Sequence, residues 1–426
     1  MTMILSPGYG VLVTPELLLL TGLAREPAET AAGALLARPG TVVVHHDVRD
    51  LERGVVVRTV RAHGPGGVTT DRLAVELAHG CLSCTLRLDL LPLLRRLARR
   101  GDVARIVLLL DPALEPEHLC WSIDTVLLEG GGTAGEHVRV GGVLAVIDAG
   151  SWLENATGED TMAERGLAAT DDDERTVAQV VIAQTGFADA VLVTGRPDDA
   201  WTAVRTDAVL DRLLPGAPRA DLAAVHPDAL LDALTPGSRR GRVRSPHDPL
   251  TAGEPPLETD AGVALVRFGA ARPFHPGRLH DALDVLLDGV VCSRGRLWLA
   301  TQHERAVWLE SAGGGLQVGD AGPWLATLPD DPVLWAQVDP ERQAAAALRW
   351  DDEHGDRHTE LVALTHRQAP AEIVAALDGA LLTDAEFAAG PLSWAGLDDP
   401  FGSWHTDPCE ASSPADPDLH LTTRED

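Results

Sequence analysis

Runs of valine and leucine too apolar for any one-sided sheet constrain this chain most. They occur at Leu17–Thr21, Thr41–Val44, Arg105–Leu110, Val143–Ile147 and Ala190–Thr194. A strand with one solvated face alternates polar and apolar residues, whereas an uninterrupted run requires cover on both faces. Helical patterns between the runs, at Glu29–Leu36 and Val177–Gly186 among others, supply that cover. The expected fold is α/β, with a doubly wound and mostly parallel sheet, followed by a smaller α+β domain.

The chain has 426 residues, 45% of them hydrophobic, enough to bury two cores. Residues 1–217 read as the first domain and 218–260 as a helix and a Pro/Gly/Arg linker, where Pro236, Pro246, Pro249, Pro255 and Pro256 break regular structure. Residues 261–389 read as the second domain. It has β-type segments at Val263–Phe268, Gly295–Ala300, Ala306–Glu310 and Glu360–Thr365, and helices at Pro276–Leu287 and Pro370–Ala380. Residues 390–426 are acidic and Pro-rich and read as a partly disordered tail. Each unit is apolar enough to be expected to fold alone.

No run of eighteen apolar residues and no cleavable leader is found, so no membrane span is expected and the cytoplasm is the default location. Cysteines at 81, 84, 120, 292 and 409 are odd in number and suit a reducing compartment. The formal net charge of −29 repels phosphate backbones. It favours a basic protein partner over sequence-specific nucleic-acid binding. Small basic groups, Arg95, Arg96, Arg99 and Arg100 on a helix and Arg239, Arg240, Arg242 and Arg244 in the linker, read as solvated arginines.

The stretch Ala78-His79-Gly80-Cys81-Leu82-Ser83-Cys84 places two thiols and an imidazole within six residues. Two cysteines separated by two residues can both turn their sulfurs to one tetrahedral ion, so His79, Cys81 and Cys84 are candidate zinc ligands. His45, His46 or Cys120 could supply a fourth. Alternatively the thiols are buried small residues, or a redox pair. All the basic residues are arginines; the sequence contains no lysine. A P-loop nucleotidase uses a lysine ammonium on its phosphates, and a guanidinium is not its equivalent.

The strand pattern and the Cys-x-x-Cys stretch together resemble the CobW family, as do Pro273-Phe274-His275-Pro276 and Arg294-Gly295-Arg296-Leu297-Trp298-Leu299-Ala300. Trp350-Asp351-Asp352, Gly355-Asp356-Arg357-His358-Thr359, Ala380-Leu381-Leu382-Thr383-Asp384 and Asp399-Pro400-Phe401-Gly402-Ser403-Trp404-His405 are similar to its actinobacterial branch of ribosome hibernation factor-recruiting GTPases. The resemblance implies a P-loop GTPase-like first domain and a CobW C-terminal second domain. It also implies partners, a hibernation factor and the ribosome, engaged when zinc is limiting.

Against the family pattern Gly-x-x-Gly-x-Gly-Lys-Thr, this chain carries Gly22-Leu23-Ala24-Arg25-Glu26-Pro27-Ala28-Glu29-Thr30. Pro27 lacks an amide hydrogen, Ala28 stands at the lysine, and Glu26 and Glu29 bring negative charge to where phosphates would sit. The guanine-reading segment falls on Thr194-Gly195-Arg196-Pro197. The nucleotide-site remnant the resemblance implies is Gly22, Thr30, Asp47, Asp111 and Thr194, with Asp47 and Asp111 also readable as turn formers. These departures oppose GTP and magnesium as cofactors and leave zinc as the candidate. The leading expectation is a CobW-like adaptor without GTPase activity and with no catalytic residues. The alternative is a zinc metallochaperone, or insertase, whose GTPase site is atypical.

Overall fold

The computed structural model describes residues 14–64, 66–76, 85–329 and 331–402. In the first domain the strands are β1 (Glu16–Thr21), β2 (Thr41–Asp47), β3 (Val55–Gly64), β4 (Gly67–Glu76), β5 (Arg105–Leu109), β6 (Arg139–Asp148), β7 (Ala190–Thr194) and β8 (Arg219–Asp221). They form one sheet in the order β4-β3-β2-β5-β1-β6-β7-β8. Its core from β2 to β8 is parallel, and a β3–β4 hairpin adds antiparallel to the β2 edge. That hairpin is absent from the sequence reading because, past Val55-Val56-Val57, charged and threonine residues interrupt its apolar pattern.

The leucine run of β1 shows why the sheet needs two covers. Leu17 and Leu19 point to one apolar core and Leu18 and Leu20 to the other, all fully buried. Burial of each such side chain contributes about 1.5–3 kcal/mol relative to exposure. Helices α1 (Arg25–Leu36), α2 (Leu91–Ala98), α3 (Pro116–Thr125), α4 (Trp152–Thr157), α5 (Val177–Gly186), α6 (Ala200–Leu213) and α7 (Pro227–Asp232) supply the covers. Ala28, Ala31, Ala32 and Leu35 of α1 lie on the Leu18–Leu20 side, while α2, α3, α5 and α6 lie on the other.

The second domain is a five-stranded antiparallel sheet, order β12-β11-β10-β13-β9, of β9 (Ala264–Ala270), β10 (Val290–Trp298), β11 (Arg305–Ala312), β12 (Gly315–Pro323) and β13 (Thr359–Thr365). Its helices are α8 (Pro276–Ala282), α9 (Pro332–Trp335), α10 (Pro340–Ala347), α11 (Pro370–Ala380), α12 (Asp384–Ala388) and α13 (Pro391–Trp394). Leu279 of α8 and Ile373 and Leu377 of α11 seal one sheet face. Trp298, Trp324 and Trp394 build an aromatic side core, so the chain beyond Gly390 is tied down at least as far as Trp394.

The two units share apolar core. Val263, Val291, Ala312 and Leu364 belong to the same buried cluster as Val177, Val180 and Val181 of α5. The β11–β12 turn presses on the first domain so closely that a Cβ at Gly313, φ +52°, would lie 2.2 Å from the carbonyl oxygen of Gly158. Cutting between the units would expose this seam. Residues 236–260 are irregular but docked at several points. Arg240 donates its amide to Asp189 at 2.8 Å and its guanidinium to the Gly141 carbonyl at 2.7 Å, and Arg296 donates to the carbonyls of Pro246 and Asp248 at 2.9 Å.

Candidate functional site

The parallel strand order reverses at β1, whose neighbours β5 and β6 lead to opposite halves of the sheet. Open α/β sheets bind ligands outside the carboxyl ends of the strands at such a switch point. Here β1 passes through Gly22-Leu23-Ala24 directly into α1. Gly22 is required by close approach: at φ +147° a Cβ would lie 2.1 Å from the carbonyl oxygen of Val146 on β6. A cavity of about 290 Å³ opens beside this turn, lined in part by Ala24, Asp148, Ser151, Asn155, Arg165 and Gln184.

The helix begins at Arg25, four residues earlier than its sequence pattern suggests, with Pro27 in the first turn, where a missing amide costs no helical hydrogen bond. The early start places the rest of the segment on the helix. Ala28, at the lysine position, is 3% exposed and faces the core. Thr30 is exposed and its hydroxyl donates to the Glu26 carbonyl of its own helix at 3.0 Å. Glu29 is spent on Arg61 of β3 at 2.6 Å. Of the remnant residues, Thr30 therefore lies outside the site.

Asp47 and Asp111 lie at the carboxyl ends of neighbouring strands. β2 and β5 are parallel with His45 opposite Leu109, and Arg25 bears on both acids. Both acids face arginines. Asp111 is 1% exposed; its Oδ2 lies 3.1 Å from Arg25 Nη1, and its Oδ1 accepts the amide of Ala113 at 3.2 Å. The Arg25 contact is an ion pair without hydrogen-bond alignment, since the same Oδ2 has no hydrogen-bond partner. Asp47 accepts Arg49 Nε at 2.9 Å, and that bond, with the further charge of Arg25, holds the Asp47 carboxyl down at about 2. Arg25 and Arg49 are the site residues that sequence reasoning missed. Neither matches a family motif, and only the helix start and the tight Asp47–Arg49 turn bring them in.

Thr194 ends β7, where its hydroxyl donates to the Ile147 carbonyl at 3.2 Å. Opposite it in the parallel register, Asp148 spends its carboxylate on the Gly150 amide at 3.0 Å and the Ser151 hydroxyl at 3.2 Å. No carboxylate at 194–197 is offered to a base.

His79, Cys81 and Cys84 lie outside the described residues. Among the described residues no group of three His, Cys, Asp or Glu side chains could hold a metal ion. The proposed fourth ligands fall in different places. Cys120 is buried and desolvation pushes its thiol up to about 12, which disfavours the thiolate a metal needs. His45 Nδ1 bonds the Leu109 carbonyl at 2.9 Å. His46 is buried, and its Nε2 lies 2.8 Å from Asp89 Oδ2, with Arg58 on the other carboxylate oxygen. A carboxylate on one ring nitrogen orients many metal-bound histidines. His46 thus carries a carboxylate on its ring nitrogen, whereas His45 bonds a backbone carbonyl.

Two family models match the chain: "CobW/HypB/UreG, nucleotide-binding domain" over residues 51–213 and "Cobalamin synthesis protein cobW C-terminal domain" over residues 263–381. A zinc chaperone of Mycobacterium tuberculosis is 46% identical over 390 residues, covering 90% of this chain and 92% of that protein. The chain belongs to the CobW family. A zinc-regulated GTPase metalloprotein activator of Dictyostelium discoideum is 25% identical to this CobW protein over 344 residues, 76% of this chain and 70% of that one. A crystal structure of the Zn(II)-bound YjiA GTPase from E. coli is 16% identical with a TM-score of 0.36, covering 86% of this chain and 98% of that one, too distant to bear on the site. No helix among the described residues is long and apolar enough to cross a membrane.

Proposed function

We propose that this CobW protein is a zinc-linked adaptor that works by binding other proteins, without turning over GTP. The observation that carries the reading is the pairing of Asp111 with Arg25 beside Asp47 with Arg49. A magnesium ion bridging phosphates takes its place beside strand-end acids of this kind. Here permanent cations of the chain stand against both acids, and with Ala28 turned into the core no ammonium reaches the turn. A guanidinium held by a 1% exposed carboxylate is not readily exchanged for a hydrated divalent ion.

The link to zinc rests on the names of the relatives and on the His79, Cys81 and Cys84 cluster. The client, by resemblance of the C-terminal motifs, is a ribosome hibernation factor brought to the ribosome. The test is co-sedimentation of that factor with ribosomes in the presence of the full chain. Recruitment should be the same with GTP and magnesium, with GDP, and with no nucleotide; recruitment that requires GTP would sink the reading.

The names of the relatives favour a second reading, a zinc chaperone that delivers metal to a client. Stoichiometric zinc in the purified protein, lost in Cys81→Ser/Cys84→Ser and transferred to an apo client only with GTP, would establish it.

A further inference from the structure

Between β12 and β13 the chain makes the two short helices α9 and α10, neither of which buries a residue. Their orientation inverts the usual one. Polar side chains hold the segment to the domain: Arg342 donates to the Pro323 carbonyl at 2.5 Å, and Arg349 to Glu360 at 2.9 Å. Gln343 ties the helices together through the carbonyls of Trp335 at 2.9 Å and Val338 at 3.0 Å. The apolar side chains are left outside, Val333 at 65% exposure, Leu334 at 38%, Leu348 at 89% and Trp350 at 46%. Trp335 and Trp350, with ring centroids 6.4 Å apart, join the two ends of the segment into one surface. Exposed apolar surface grouped like this and rimmed by polar residues marks a binding face.

The rim is acidic. Asp339, Glu341, Asp351, Asp352 and Glu353 are all exposed around it, and the exposed arginines nearby, Arg242 and Arg349, are paired with Glu341 and Glu360. We propose that the outer face of Asp331–Trp350 is a docking surface for a basic amphipathic helix of a partner protein. The apolar stripe of such a helix would cover Val333, Leu334, Leu348 and Trp350, and its flanking lysines or arginines would meet Asp351, Asp352 and Glu353. Opposite charge at the rim governs encounter rate and salt dependence, while the apolar centre governs affinity. The proposal rests on the adaptor reading and supplies its partner surface.

The test uses the full chain and a labelled synthetic peptide of leucine and arginine patterned as an amphipathic helix, with a scrambled peptide of the same composition as control. The patterned peptide should bind about tenfold more tightly than the scrambled one, about 1.4 kcal/mol. Leu348→Ser and Val333→Ser, at positions too exposed to matter for folding, should each erase most of that margin without moving the thermal midpoint. Asp352→Asn/Glu353→Gln should weaken binding at low salt and flatten its salt dependence. Equal binding of the two peptides, or binding unchanged in Leu348→Ser, would overturn the proposal, as would a concentration-dependent dimer that Leu348→Ser dissociates, because the surface would then serve a second copy of this chain. GTP binding is measured separately, so a failed peptide test leaves the nucleotide-free reading standing.

Discussion

The carboxyl ends of β1, β2 and β5 and the outer face of α9 and α10 resolve the same problem in opposite ways. At the strand ends the chain answers its own charges: Asp111 and Asp47 meet Arg25 and Arg49, and the alanine at the lysine position closes the core beneath them. At α9 and α10 the chain satisfies its polar groups inward and leaves leucine, valine and tryptophan uncovered. The chain is self-sufficient in charge at the strand ends and leaves apolar groups uncovered on a surface far along the chain. Binding capacity has to be sought where groups lack partners, and a family's motif positions alone do not locate it.

Ala28→Lys puts the largest strain on that contrast. Were residue 28 directed at a phosphate, the substitution would restore a missing ligand; since it faces Leu18, Leu20 and Val43, it should instead drive an ammonium into a packed core. The expected result is a destabilisation of several kcal/mol, seen as a large drop in the chemical-denaturation midpoint, and no GTPase activity. A stable Ala28→Lys protein that hydrolyses GTP would reverse the comparison.

Arg25→Ala should cost less, about 1–3 kcal/mol, by leaving the buried Asp111 carboxylate without its cation. Asp111→Asn in that background should recover part of the loss, and a double-mutant cycle reads the coupling directly. Additive effects would show that the two groups do not depend on each other.

Acid sharpens the picture by separating histidines from carboxylates. Burial holds His247 and His366 down at about 4, against an ordinary 6.5. The unfolded chain then binds more protons than the folded one between those values, so stability should fall as pH drops from 6.5 to 4. His247→Gln should flatten that decline while keeping a donor for the Ala321 carbonyl, which His247 Nε2 meets at 2.9 Å. Asp47 is held at about 2 chiefly by the Arg49 hydrogen bond, and Glu360 at about 2 by His358, whose Nε2 lies 3.8 Å away, and by hydrogen bonds from Arg296 at 2.6 Å and Arg349 at 2.9 Å. Their ion pairs should persist until pH falls below about 4 and be lost toward 2. Thermal melts from pH 8 to 2 on wild type and His247→Gln check both windows. The smallest expected change is at the outer face: Leu348→Ser should leave stability within about 0.5 kcal/mol of wild type.

The sheet was legible because a doubly buried strand writes itself as a run of Val and Leu, and β1, β2, β5, β6 and β7 all do so. The β3–β4 hairpin was not, since its exposed residues carry no periodic apolar signal. The strand-end acids Asp47 and Asp111 could be named from sequence, but not their partners. Arg25 reaches Asp111 because the helix starts at residue 25, with Ala28, Ala31 and Ala32 packed into the core. Likewise, His46 could be named from sequence, but not the Asp89 carboxylate at its ring nitrogen. Independent folding of the halves was inferred from composition, which carries no information on the Gly313 contact or on the seam shared by Val177 and Val291.

On the proposed reading, Arg25 and Arg49 stand against the strand-end acids of this CobW protein, and the cavity beside the turn does not receive a magnesium nucleotide. Isothermal titration of the full chain with GTP and magnesium, with phosphate release followed in parallel, tests it most directly. No saturable heat at micromolar GTP and no phosphate above the protein-free rate are expected. Micromolar binding with multiple-turnover phosphate release would contradict it.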